Sequence, residues 1–202
     1  MRTTNELDRR RRRRQRRIQV VLIYTAIAVG LAWFFESQAT TTIIFVRHAE
    51  KADSPASDPG LSEAGERRVA ELARQLVDAD VVAGLDAVYA TQYRRSQETA
   101  HAVVALHKRA RNVALPINTY DAEDKKAVLE TILREHKGKV ILVIGHSNTL
   151  PRLIFNLGAS KNVPPIAERE YDNIYIISIP WFGKTKTIRL RFGEPYLASQ
   201  LQ

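Results

Sequence analysis

Cysteine is absent from the 202 residues, which excludes disulfides, thiolate metal sites and cysteine nucleophiles. A basic surface is nearly absent too, although the formal net charge is +9. Residues 1–17 hold nine arginines against Glu6 and Asp8, a local +7, and 9 − 7 leaves only +2 for the rest of the chain. The basicity belongs to a tail, and the near-neutral remainder offers no footprint for nucleic acid. Internal repeats are lacking, as is any low-complexity segment beyond the arginine run.

Charge is missing altogether from the run that begins at Ile18 and ends at Phe35. As a helix these residues span roughly 27 Å at about 1.5 Å per residue, just enough to cross a bilayer. Trp33, Phe34 and Phe35 at the far end suit the headgroup boundary. A cleaved signal peptide is the rival reading, because Ser37, Gln38 and Ala39 form a passable small-x-small cleavage site. The apolar run exceeds the ~7–15 residue core of such peptides, which favours an uncleaved anchor. The arginines precede the span, and only Arg47 and Lys51 come closely after it, so the positive-inside rule keeps the N-terminus cytoplasmic. The expected organisation is a cytoplasmic tail (1–17), a transmembrane anchor (18–35), a linker (36–41) and an exported domain (42–202), periplasmic or extracellular. The membrane is therefore an expected partner, the arginines also meeting anionic headgroups. Their contact with the apolar span argues against nuclear-localisation or DNA-binding use.

Beyond the linker, strand-like and helix-like segments alternate. Strands are predicted at 42–46, 85–90, 117–120, 140–145, 173–179 and 187–192, the last two joined as a hairpin containing Gly183. Helices are predicted at 62–78, 96–109, 123–136 and 148–157. The first carries Val69, Leu72, Ala73, Leu76 and Val77 on one stripe, with Ser62 as its N-cap. The pattern predicts an α/β three-layer sandwich with a mainly parallel central sheet and helices on both faces, preceded by one N-terminal transmembrane helix.

Open α/β sheets bind ligands beyond the carboxyl ends of their strands. There the first strand delivers Arg47 and His48, and the second Thr91 with Arg94 and Arg95 in the next helical turn. The third delivers Asp121, Glu123 and Asp124, and the fourth Gly145 and His146 ahead of Ser147, Asn148 and Pro151. Arginine forks and helix N-termini suit a phosphate dianion, and a neutral imidazole beside them is a competent nucleophile. The other histidines make no metal site: His101 and His107 lie on different helical faces and His136 ends a helix, so surface roles are expected for all three. Asn173 opens the fifth strand and is read as structural.

The segments "FVRHAEK", "LSEAGERR", "ATQYRRSQETA" and "VIGHSNTLP", in this order, resemble the histidine phosphatase superfamily. This is the phosphoglycerate mutase-like, Arg-His-Gly type that includes small bacterial phosphohistidine phosphatases. The likeness runs from residue 42 to about 180. It implies that His48 accepts the phosphoryl group, that Arg47 and Arg95 clamp it, and that His146 supports its charge. Thr91, Arg95, Ser96, Thr99 and Ala100 fit the family pattern (Ser/Thr)-x3-Arg-(Ala/Ser)-x2-Thr-Ala, which leaves Arg94 as a solvated residue. "RHAEK" departs from Arg-His-Gly, and Glu50 and Lys51 are candidates for the pocket mouth.

The implied chemistry is two-step and free of metal or other cofactor: attack by His48, then hydrolysis of the phosphohistidine, helped by a carboxylic acid that first gives and later takes a proton. Asp121, at 121 − 95 = 26 residues past the clamp arginine, occupies the acid's expected place, with Glu123 next. Capping of the adjoining helix is the competing role for Asp121. Without an acid, ester cleavage slows while a phosphoramidate still reacts. The expected activity is hydrolysis of phosphomonoesters (small molecule, glycan, lipid or protein). Phosphohistidine phosphatase activity and a non-catalytic tethered module for phosphorylated ligands are the alternatives. Mutase activity is disfavoured, since only twenty residues separate Arg95 from Leu115 and leave little for a lid.

Overall fold

A computed structural model describes residues 2–37, 40–78, 84–181 and 183–196. Residues 38 and 39 of the expected linker, and with them most of the candidate cleavage site, lie outside the described residues. The chain divides into two units, 1–39 and 40–202.

The first unit is one helix, α1 (Arg2–Ser37). Tail and anchor, read separately in the sequence, form a continuous helix because no proline interrupts them and arginine, leucine and alanine all favour helix. Within Arg9–Phe35 an 18-residue window has a mean hydropathy of 2.1 and none of it is buried, long and apolar enough to cross a membrane.

The second unit is built on six strands: β1 (Thr40–Arg47), β2 (Ala87–Thr91), β3 (Ile117–Tyr120), β4 (Val140–Gly145), β5 (Asn173–Pro180) and β6 (Lys186–Arg191). Their spatial order is β3-β2-β4-β1-β5-β6. The first four strands run parallel, whereas β5 pairs antiparallel with both β1 and β6. Helices α2 (Glu63–Asp78), α3 (Arg94–Arg111), α4 (Lys125–Glu135) and α5 (Leu150–Asn156) complete it.

Alternation along β1 divides the core into two layers. Ile43 and Phe45 face Val128, Ile132, Leu153 and Ile154 of α4 and α5. Ile44 and Val46 face Leu72 and Ala73 of α2 and Ala100 and Val103 of α3. The three-layer sandwich anticipated from the sequence is thus present, and with β5 it is mixed at one side.

Two local features fix how the layers approach the site. Ser62 caps α2, its Oγ accepting from Gly65 N at 3.1 Å. A Cβ on Gly65 would lie 2.3 Å from the Glu50 carbonyl oxygen, so only glycine lets α2 cross the chain just past His48 that closely.

Candidate active site

Strand register assembles the site. β1 and β4 are parallel neighbours with Arg47 opposite Gly145, so the next residues, His48 and His146, emerge side by side. Their ring centroids are 5.1 Å apart. Thr91 comes after Ala90, which pairs with Ile144, and its Oγ1 lies 2.9 Å from His146 Nε2. Arg95 sits in the first turn of α3. Arg47, His48, Arg95 and His146 line one open hollow of about 490 Å³, together with Lys51, Glu123, Asn148 and Glu168.

His48 is almost fully buried. Its Nδ1 donates to the Ala49 carbonyl at 2.7 Å, which places the ring proton there and leaves a lone pair on Nε2. Arg95 Nε donates to that nitrogen at 3.2 Å. Burial, with His146, Arg47 and Arg95 adding to it, pushes the His48 pKa down to about 2. His146 is lowered to about 4 by burial and then by the two arginines. Both imidazoles are therefore neutral near pH 7, and His48 has a defined free nitrogen on Nε2.

Arg47 carries the electrostatic signature. It is 7% exposed, yet no carboxylate lies within ion-pair distance of it among the described residues. One Nη donates to the carbonyls of Ala167 and Glu170, at 2.9 and 3.1 Å. The guanidinium stacks 4.0 Å from the centre of the Tyr171 ring, and its buried Nε has no partner. Burial lowers its pKa from the ordinary arginine value. A buried cation that is neutralised by no side chain is costly unless an anion completes the site. Arg95 is the second cation at the hollow, its Nη1 in a long ion pair with the half-exposed Asp58 at 3.9 Å.

The remaining motif residues hold these groups in place. Thr99 accepts from Ala49 N at 3.3 Å and donates to the Arg95 carbonyl at 2.8 Å, tying the His48 turn to α3. Ser96, Thr99 and Ala100 are fully buried beneath that contact.

Other sequence-derived candidates fall elsewhere. Asp121 does not line the hollow, and it does not cap α4, whose N-cap is Asp124; its carboxylate accepts from Glu123 N at 2.9 Å in the preceding turn, while Glu123 itself lines the hollow. Lys51 reaches the hollow, whereas Glu50 turns to Arg68 at 2.6 Å. Arg94 is solvated and pairs with Glu98 at 2.7 Å. His107 is buried rather than on the surface, its Nδ1 3.3 Å from the Val113 carbonyl. No cluster of three or more metal-ligating side chains occurs among the described residues. Tyr93, Glu168 and Tyr171 went unread in the sequence; they flank the site from an aromatic position before α3 and from the irregular segment before β5.

The class that fold and site define is an α/β protein with a mainly parallel sheet and an arginine-lined hollow around a neutral histidine. Residues 43–119 match the model of the histidine phosphatase superfamily (branch 1). The protein histidine phosphatase SixA, in a structure with tungstate, is similar at a TM-score of 0.59 and 19% identity over 74% of this chain and 96% of that one. A putative SixA of Nakamurella multipartitia aligns at 0.53 and 16% over 78% and 98%, and a phosphoglycerate mutase of Plasmodium falciparum at 0.55 and 16% over 79% and 97%. At these identities the likeness is one of fold. Curated protein sequences returned no match.

Proposed function

We propose that the protein is a membrane-anchored phosphatase that hydrolyses phosphomonoesters through a phosphohistidine on His48. The observation that carries this reading is the pairing of a lone pair fixed on His48 Nε2 with Arg47, a buried cation that lacks a carboxylate partner. A phosphoryl dianion supplies the missing charge and meets the nucleophile in one step.

His48 Nε2 attacks phosphorus in line as the bond to the leaving oxygen breaks. Arg47, Arg95 and His146 stabilise the equatorial oxygens. With the Thr91 hydroxyl donating to His146 Nε2, the proton on Nδ1 remains as that ring's donor. Glu123, which lines the hollow, protonates the departing alkoxide. As carboxylate it then takes a proton from water, which attacks phosphorus and breaks the P–N bond, returning His48 neutral. Asp121 is the alternative acid, working from its turn through movement of the loop.

Hydrolysis is favoured over mutase activity by the chain beyond Arg95: residues to Arg111 all belong to α3, and β3 begins at Ile117 without an insertion over the hollow. A phosphohistidine phosphatase is the second reading, favoured by the loose hold on the acid, since the Glu123 side chain is 80% exposed. A phosphoramidate leaves without needing that proton. The arginines of α1 support a cytoplasmic N-terminus with the second unit exported. Rapid acid-free quenching of the full chain with a radiolabelled phosphomonoester should trap an acid-labile, base-stable phosphoprotein. Absence of that species from wild type, or its persistence in His48→Ala, would overturn the proposal. Labelling of a surface thiol, introduced as Lys126→Cys, from outside intact cells tests sidedness.

A further inference from the structure

The hollow at His48 does not stand alone. Asn148 lines it on one side and on the other lines a second open hollow of about 540 Å³, between the outer face of α5 and the loop after that helix. Arg152, Phe155, Asn156, Ser160 and Lys161 contribute to its walls. The loop is anchored: Ser160 N donates to Thr187 Oγ1 at 3.1 Å, and Asn162 N to Ser160 Oγ at 3.2 Å.

The lining has a distinct chemistry. Phe155 is 54% exposed although its neighbour Ile154 is fully buried. Arg152 and Lys161 have no ion-pair partner among the described residues, whereas Arg67, Arg74, Arg94 and Arg134 on the other helices each hold a glutamate. No carboxylate lines this hollow, while Glu123 and Glu168 line the one at His48. Two unpaired cations beside an exposed aromatic ring, contiguous with a phosphate hollow, are complementary to a leaving group with an apolar part and its own negative charge.

We infer that this second hollow is a leaving-group subsite, and that the phosphatase acts on phosphorylated peptide segments with an acidic side chain about three residues from the phosphoryl group. The inference rests on the phosphatase reading. The helix rise sets the spacing: along α5, Pro151 and Phe155, which both line this hollow, are separated by about 6 Å at ~1.5 Å per residue. An extended peptide covers that distance plus the approach from the first hollow with about three residues at ~3.4 Å each. A compact ester does not reach so far. Asn148, Asn156 and Ser160 offer donors and acceptors to a peptide backbone, whereas an acyl chain would cover them and both cations without pairing any.

The test separates binding from turnover. Fluorescence anisotropy on the full His48→Ala chain in nonionic detergent compares two labelled phosphoserine heptapeptides. One carries glutamates at the third position on either side of the phosphoserine, the other alanines. The acidic peptide binds about five-fold more tightly, as expected for two exposed ion pairs, and the gap narrows with salt. Arg152→Ala with Lys161→Ala closes the gap, and the charge-matched pair Arg67→Ala with Arg74→Ala on α2 leaves it. Equal affinity for the two peptides overturns the inference, as does a gap that survives loss of Arg152 and Lys161. Tighter binding of phosphatidic acid micelles, lost in that same variant, overturns it in favour of a lipid. Wild-type turnover of p-nitrophenyl phosphate is measured alongside: its absence sinks the phosphatase reading, while the peptide comparison still decides the subsite.

Discussion

Arg95 Nε donates to His48 Nε2 across 3.2 Å, so the guanidinium rests on the lone pair that the proposed attack on phosphorus uses. An incoming phosphoryl oxygen competes for the same N–H, and binding of the dianion therefore releases the nucleophile as it recruits the clamp. The neighbouring Arg94 takes no part, being committed to Glu98 in solvent. Arg95→Ala is expected to lower kcat by about 100-fold or more, the usual cost of removing one donor to transition-state charge. Arg94→Ala should remain within about two-fold of wild type, as surface changes do. Steady-state kinetics on the two variants checks the assignment; a reversed ranking would sink it.

His48 and His146 have pKa values near 2 and 4, both below the ordinary 6.5, chiefly through burial. Between pH 6.5 and 4 the unfolded chain binds more protons than the folded one, so stability rises with pH there. Well below pH 6.5 each group costs about 1.4 kcal/mol per pH unit, and from pH 6.5 to 5, with the unfolded imidazoles half protonated at the start, the pair accounts for a loss of roughly 3 kcal/mol. Above pH 6.5 neither contributes. Below pH 4 the loss from His146 ends and that from His48 continues toward pH 2. Thermal melts of the full chain should show a steep decline between pH 6.5 and 5, shallower in both His48→Gln and His146→Gln.

Leaving-group dependence distinguishes the two carboxylates. Glu123 lines the hollow, whereas Asp121 accepts the Glu123 amide. Alkyl phosphates need a proton on departure and p-nitrophenyl phosphate does not. Glu123→Gln should therefore slow an alkyl phosphate by about 100-fold, the lower end for general-acid catalysis, with a smaller effect on the aryl ester. Asp121→Asn keeps an acceptor for the amide and should cost less on both. The opposite order would return the acid's role to Asp121.

The contrast between Asp121 and His48 marks what the sequence could reveal. His48, Arg47, Thr91 and His146 sit at strand ends, where periodicity locates the residue and parallel register brings the ends together. Expected strands 117–120 and 140–145 match β3 and β4 to the residue for the same reason. Helix α3 begins two residues before the expected Ser96 because Asp58, distant in sequence, accepts the Arg94 amide at 3.1 Å. His107 continues the buried stripe of Ser96, Thr99, Ala100 and Val103 along α3, a helical spacing that the expected surface role passed over. Tyr171 and Glu168 were hidden for a topological reason. Because β5 runs antiparallel to β1, with Val46 opposite Ile174, the segment before β5 arrives at the catalytic edge. A rule that searches only after strands passes over it.

That same segment supports the final prediction. Arg47 is held by the carbonyls of Ala167 and Glu170, and the buried Glu170 carboxylate in turn accepts from Ala167 N at 3.0 Å. Arg189 Nη2 and Asn173 Nδ2 each donate to the other Glu170 oxygen at 2.8 Å, and Arg189 Nε reaches Asn173 Oδ1 at 2.6 Å. The chain of contacts runs from β6 through Glu170 to the loop whose carbonyls orient the phosphate clamp, which makes Glu170 a positioning residue. Glu170→Ala removes one partner of a buried ion pair and is expected to destabilise the fold by about 3 kcal/mol. Glu170→Gln retains the hydrogen bonds that shape the loop and should recover most of that stability. If Glu170 works through Arg47, inhibition by inorganic phosphate should weaken about ten-fold in Glu170→Ala and return toward wild type in Glu170→Gln, because a misplaced clamp loses anion affinity in the ground state. Phosphate inhibition unchanged in folded Glu170→Ala would confine the residue to structure alone.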